Sequence, residues 1–172
     1  ACDYIIFKNC LLVGVDKPCF RFDNVGTIVF DNCIVKDFTY DNFAHISTAR
    51  ALEIKNSEFM NCGIWYSESY NVNGGFMCAD GSINNITIKE NKFLKVFGMH
   101  RYTWNDYHVR GPFMYCDDFT CQKLIVIDNE FGVECYYHST SVDNTGLFYG
   151  GNFDEIEDKD NVYTGTVKRL IH

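Results

Sequence analysis

An alternating apolar strand that ends in a polar residue and Asn recurs five times along this chain. The copies are Tyr4-Ile5-Ile6-Phe7-Lys8-Asn9-Cys10, Thr27-Ile28-Val29-Phe30-Asp31-Asn32-Cys33, Leu52-Glu53-Ile54-Lys55-Asn56-Ser57, Ile86-Thr87-Ile88-Lys89-Glu90-Asn91 and Ile125-Val126-Ile127-Asp128-Asn129. Self-similarity at a period of roughly 20–50 residues points to stacked repeats, which carry function on their surface and inserted loops.

Aligned on the last apolar strand residue (Phe7, Phe30, Ile54, Ile88 and Ile127), the copies are spaced by 23, 24, 34 and 39 residues. Two residues on stands Asn9, Asn32, Asn56 or Asn129, with Glu90 once in its place. Five residues on stands Leu12, Val35, Phe59 or Phe93, and Phe131 comes one residue early. A short strand precedes each unit: Phe20-Arg21-Phe22, His45-Ile46, Phe76-Met77-Cys78 and Phe113-Met114-Tyr115. A unit of two or three short strands in roughly 23 residues is too short for a strand–helix–strand motif of about 30. No long segment carries a 3.6-residue period, and Ile, Val, Phe and Tyr dominate the strands.

The expected fold is therefore all-β, a parallel β-helix solenoid of about five to six coils with loop insertions on one face. Residues 1–172 make one domain, expected to be the C-terminal part of a larger protein. The repeat Asn is expected to form a ladder at a turn, bonding the coil above and the backbone below. A leucine-rich repeat is the rival fold, because Ile83-Asn84-Asn85-Ile86-Thr87-Ile88-Lys89-Glu90-Asn91-Lys92-Phe93 fits its pattern.

The formal net charge of −8 disfavours nucleic acid, whose phosphates need a basic surface. No run of about 18 apolar residues exists to span a membrane. Ala1-Cys2-Asp3 leaves no tether before strand sequence starts at Tyr4, so the chain is expected to begin inside a larger protein or after a removed leader. The first unit's edge is expected to be covered by an upstream domain or a partner chain. The cysteines number nine, an odd count that leaves at least one unpaired. Cys10 and Cys33 take a repeat position that Ser57 takes next, which favours stacked buried thiols. Cys116 and Cys121 are the best local disulfide candidates. There is no C-x-x-C pair, so no metal is expected.

Extra residues follow the Phe of the later repeats, over Asn61 to Gly74, Gly98 to Gly111 and Gly132 to Gly146. They fall at the same place in the unit. Both tryptophans of the chain, Trp65 and Trp104, lie in them. Aromatic faces stack on sugar rings while polar side chains bond the hydroxyls. Trp65, Tyr66, Tyr70, Tyr102, Trp104, Tyr107 and His138 are the candidate ligand-binding residues, and packing of the loops is the alternative use of the same rings. A lyase would need a base near the sugar C5 proton and a neutraliser of the carboxylate. The candidates are His100, Arg101, His108 and Arg110, with Lys95 as a further base. A hydrolase would need two carboxylates, for which Asp106 with Glu68 is the candidate pair. Asp117-Asp118 and the run Asp154–Asp160 offer carboxylates for Ca²⁺, but neither matches an EF-hand or a glycine–aspartate nonapeptide. The run reads as a solvated acidic loop. No cofactor is expected, with Ca²⁺ the one alternative kept open.

The repeat Ile-x-Ile-x-Asn-x-x-Phe, with its Asn-Cys variants, resembles the right-handed parallel β-helix domains related to pectate lyases. It is similar to uncharacterised families in secreted or surface proteins of gut bacteria that use polysaccharides. The closing stretch Leu147-Phe148-Tyr149-Gly150 with Asn161-Val162-Tyr163-Thr164 is similar to the ends of such domains. The resemblance implies a right-handed coil, a secreted or cell-surface setting and a polysaccharide or oligosaccharide partner. It carries over no catalytic residue, since no local match to the family's calcium carboxylates or arginine is present. The expected function is a carbohydrate-binding or glycan-presenting module. The alternatives are a polysaccharide lyase or glycoside hydrolase acting on an acidic polysaccharide, and a structural stalk or tailspike-like adhesin fragment.

Overall fold

The computed structural model describes residues 2–14, 19–64, 71–99, 108–136 and 146–171. The chain runs in successive layers. The first holds β1 (Cys2–Lys8) and β2 (Leu11–Val13), and the second β3 (Phe20–Phe22), β4 (Val25–Asp31) and β5 (Ile34–Lys36). Next come β6 (Ala44–Lys55) and β7 (Glu58–Ile64), then β8 (Asn71–Asn73), β9 (Met77–Lys89) and β10 (Lys92–Met99). The last layers hold β11 (His108–Arg110), β12 (Met114–Ile127) and β13 (Glu130–Tyr136), then β14 (Phe148–Lys159) and β15 (Val162–Tyr163).

These strands form two large sheets and a small one. The seven-stranded sheet has the order β1-β4-β6-β9-β12-β14, with β3 paired to β6 beside β4. The six-stranded sheet runs β15-β13-β10-β7-β5-β2, and β8 pairs with β11 outside both. Every pairing between these strands is parallel.

This arrangement of two parallel sheets replaces the expected right-handed parallel β-helix solenoid of about five to six coils. It also replaces the leucine-rich repeat, since the described residues contain no helix. The expected unit of two or three short strands joined by turns is corrected in detail. His45-Ile46 and Leu52–Lys55 belong to one twelve-residue strand, β6. A β-bulge between Ile46 and Thr48 absorbs what reads in the sequence as a turn. The same happens in β12, between Asp117 and Thr120. The acidic run from Asp154 lies in β14 and not in a loop.

The register also corrects the alignment of the last repeat. Ile88 pairs with Val126, not with Ile127. Counted from Val126, Phe131 falls five residues on, in register with Phe93. The positions two residues on are then Asn9, Asn32, Asn56, Glu90, Asp128 and Asp160. All six have positive φ, between 50° and 57°. Asn and Asp tolerate this left-handed conformation better than most residues, which explains their recurrence.

The bonded column sits one residue later, at Cys33, Ser57, Asn91, Asn129 and Asn161. Each layer's backbone N–H at this position donates to the next layer's side-chain oxygen. Cys33 N reaches Ser57 Oγ at 3.0 Å and Ser57 N reaches Asn91 Oδ1 at 2.9 Å. Asn91 N reaches Asn129 Oδ1 at 3.0 Å and Asn129 N reaches Asn161 Oδ1 at 2.9 Å. The buried ladder is thus a property of the inward residue: of the repeat Asn expected to form it, Asn129 does so, while Asn9, Asn32 and Asn56 supply the turn.

The core lies between the sheets. One column runs Phe7, Phe30, Ile54, Ile88 and Val126, and the facing one Leu12, Val35, Phe59, Phe93, Phe131 and Tyr163. Phe93 is parallel to Phe59 and to Phe131, with centroids 5.0 Å away in each case. A further row, Phe43, Phe76 and Phe113, meets this column edge to face, as Phe93 and Phe113 do at 86°. Both geometries suit the ring quadrupole. The high aromatic content is spent largely inside the molecule.

Cys116 and Cys121 are free, buried thiols, so the disulfide considered for them is absent. Burial pushes the Cys121 thiol up to about 11 and Cys62 up to about 12. At the edge of the stack, β1 and β2 leave Tyr4 60% and Leu11 63% exposed.

Candidate functional site

The three insertions leave the six-stranded sheet in register. Gly98 is aligned with Ile64 on one side and with Cys135 on the other. The first two also return in register, because β8 and β11 pair: His108 with Asn71, Val109 with Val72 and Arg110 with Asn73. Gly74 N donates to Arg110 O at 2.9 Å just beyond. Gly74 and Gly111 then have φ of 69° and 57°, each pressed against a strand carbonyl, Met77 O and Met114 O. A side chain would collide there, so glycine sets how the insertion rejoins the sheet. The Asn42 amide donates to Gly74 O and holds the same point from the preceding layer.

The returning segments meet an outward-facing row of the seven-stranded sheet. Register aligns Arg21, His45, Cys78, Tyr115 and Tyr149 across five strands. Their chain neighbours Ala44, Ile46, Met77, Ala79, Met114, Cys116 and Phe148 are buried, so strand alternation turns this row to the surface. The Tyr115 and Tyr149 rings are nearly parallel, at 11°, with centroids 6.0 Å apart. The Arg110 guanidinium lies over the Tyr149 ring, 5.6 Å from its centroid. That is within reach of a cation–π contact. His45 Nε2 lies 2.9 Å from Asp80 Oδ1, two strand positions along. The row thus offers two half-buried aromatic rings, a cation over one of them and a closely spaced imidazole–carboxylate pair.

Most residues singled out from sequence lie outside the described residues: Trp65, Tyr66, Tyr70, His100, Arg101, Tyr102, Trp104, Tyr107 and His138, and with them Glu68 and Asp106. His108 opens β11 opposite Asn71, and Arg110 closes it against Tyr149. Lys95 lies within β10 with φ of 58°, aligned between layers with Asn61 of β7. It belongs to a column of left-handed residues with Asp37 and Asn61, and the Asn61 amide donates to Asp37 Oδ1 at 2.9 Å.

Tyr115, Tyr149, His45 and Asp80 are absent from the sequence-based set. The signal for the tyrosines was present in the triplets Phe76-Met77-Cys78, Phe113-Met114-Tyr115 and Leu147-Phe148-Tyr149, whose third residue faces outward. Among the described residues, no group of three or more His, Cys, Asp or Glu side chains is placed to hold a metal ion. The carboxylates considered for Ca²⁺ are spread along β14 or sit at the β12 bulge.

Comparison with protein-family models, with curated proteins and with solved structures returns no match.

Proposed function

We propose that the protein is a carbohydrate-binding module whose site is the Tyr115–Tyr149–Arg110 row and the insertions that return beside it. The observation that carries this reading is the Arg110 guanidinium stacked on Tyr149, which joins the end of the second insertion to the aromatic row. A sugar ring presents an apolar face to an aromatic ring and hydroxyls at its edge. Tyr149 and Tyr115 suit the face, while Arg110, His45 and Asp80 supply donors and acceptors for the edge. Rings repeated along the stack favour an extended saccharide over a single sugar.

The test is titration calorimetry with a panel of plant, algal and host oligosaccharides. Saturable binding of one saccharide class is expected. Tyr149→Ala and Arg110→Ala should each weaken it by at least about tenfold, the loss of one stacking or charge-assisted contact. Binding that survives both substitutions unchanged places the site elsewhere. A flat response across the panel removes the carbohydrate reading.

A further inference from the structure

We propose that Cys10 and Cys33 are an oxidisable thiol pair, a redox modification site that can link the first layer to the second. The two residues follow left-handed Asn9 and Asn32 in equivalent turns. Flanking pairs Lys8 with Asp31 and Leu11 with Ile34 make them direct neighbours across the layers. Ile34 N donates to Cys10 O at 2.8 Å, which fixes the backbones at strand spacing. Both sulfurs bond carbonyls at the end of β1. Cys33 Sγ donates to Phe7 O at 3.3 Å, and Cys10 Sγ donates to Lys8 O at 3.3 Å, the next carbonyl along β1.

Later layers fill this position with Ser57, Asn91, Asn129 and Asn161, whose oxygens each accept an N–H from the layer before. Only at Cys10 and Cys33 do cysteines occupy this position in adjacent layers. Neighbouring strands lie about 4.8 Å apart. A disulfide needs Cα atoms roughly 4.4–6.8 Å apart, so the backbone already satisfies it. Cys33 is 1% exposed, whereas Cys10 is partly exposed and meets the solvent first.

The co-reactant is a two-electron oxidant of the peroxide class. The Cys10 thiolate attacks one peroxide oxygen, the O–O bond breaks, and Cys10 becomes a sulfenic acid as one water leaves. Cys33 sulfur then attacks the sulfenic sulfur. The S–O bond breaks, the S–S bond forms and a second water leaves. Two thiols are oxidised and one peroxide is reduced to two waters.

The test is brief treatment of the folded protein with hydrogen peroxide, then blocking of free thiols in denaturant and a non-reducing tryptic map. The expected product joins the peptide Asn9–Arg21 to the peptide Phe22–Lys36 with loss of two hydrogens, and fragmentation places the link at Cys10 rather than Cys19. In Cys33→Ser the link disappears, and Cys10 is recovered as a sulfenic acid trapped by a cyclic dione. Oxidised wild type should also exchange the amide hydrogens of β2 at least about threefold more slowly than reduced protein. Cys10 that stays reduced, or that pairs with Cys2 or Cys19 instead, overturns the proposal.

Discussion

The backbone N–H of Asn91 donates to Asn129 Oδ1 at 3.0 Å, and the Asn129 amide donates in turn to Ile88 O at 2.8 Å. One side chain therefore satisfies two buried backbone groups of the preceding layer. Asn129 is 2% exposed, so water cannot replace either bond. Asn129→Ala is expected to destabilise the fold by about 2–4 kcal/mol, the cost of two buried groups left unpaired. Asn9→Gly should cost less than about 1 kcal/mol, because glycine accepts the left-handed turn and only an exposed bond from Asn32 is lost. Urea unfolding midpoints at constant slope check both. Equal losses at the two positions would refute the distinction between turn residue and ladder residue.

Phe93 lies between Phe59 and Phe131 in its own column and edge-on to Phe113. Phe93→Ala should cost about 3–5 kcal/mol, since the stacked layers above and below cannot close the cavity. Phe7 stacks on Phe30 but is only partly buried at the edge of the stack, so Phe7→Ala should cost clearly less. Thermal and urea unfolding of the two variants provide the comparison, and a larger loss at Phe7 would contradict it.

Much of this was legible in the sequence, and the remainder was hidden for physical reasons. Phe7, Phe30, Ile54 and Ile88 were aligned correctly because period-two alternation specifies which face is buried. Val126 was misassigned to Ile127 because both are β-branched and the register depends on which partner it meets. The register shifts at Ser47 and Asp118 were hidden because alternation along one strand does not show where it gains or loses a residue against its partner. The site was less legible. Arg110 was identified, yet Tyr149 was not, since it stands 39 residues later and only the register brings it under the guanidinium. A ring that faces outward and a ring that faces the core look the same in a sequence until the strand phase is known.

Thiol chemistry should follow burial. Desolvation holds Cys62 at about 12 and Cys121 at about 11, and raises Cys116 above its ordinary value. A raised thiol pKa leaves almost no thiolate at pH 8, and the thiolate is the nucleophile. Iodoacetamide at that pH should label exposed Cys2 in the folded protein and leave Cys62, Cys116 and Cys121 unmodified until denaturant is added. Mass mapping of the alkylated peptides reads the outcome. Early labelling of Cys62 would mean that its layer opens without global unfolding.

Acid should weaken the turn around Asp31. The Asn56 amide donates to its Oδ1 at 3.1 Å, and Lys8 Nζ lies 3.5 Å from its Oδ2. These contacts, the Asn56 bond foremost, hold the carboxyl below its ordinary value. A lowered folded-state pKa gives stability that is present above the unfolded value, about pH 4, and lost as pH falls through the folded value. Asp31→Asn should therefore be less stable than wild type at neutral pH and approach it as the pH falls below about 3. Unfolding midpoints measured across this range test the sign. A gap that widens in acid would reverse it.

The two outer edges of the seven-stranded sheet differ in character. On β14 the edge carries Asp154, Glu155, Glu157 and Asp158, all exposed. Such charges discourage pairing with another strand. On β1 the edge carries Tyr4 and Ile6, 60% and 58% exposed, with Leu11 and Val13 exposed on neighbouring β2. Self-association by strand pairing should therefore start at β1. Ile6→Lys is expected to raise the concentration at which the protein aggregates by several-fold without lowering its unfolding temperature, because the side chain is already in water. The same change at Ile156 of β14, 48% exposed, should have little effect beside four carboxylates. Light scattering against concentration for the two variants distinguishes the edges, and an equal response from both would show that neither edge directs association.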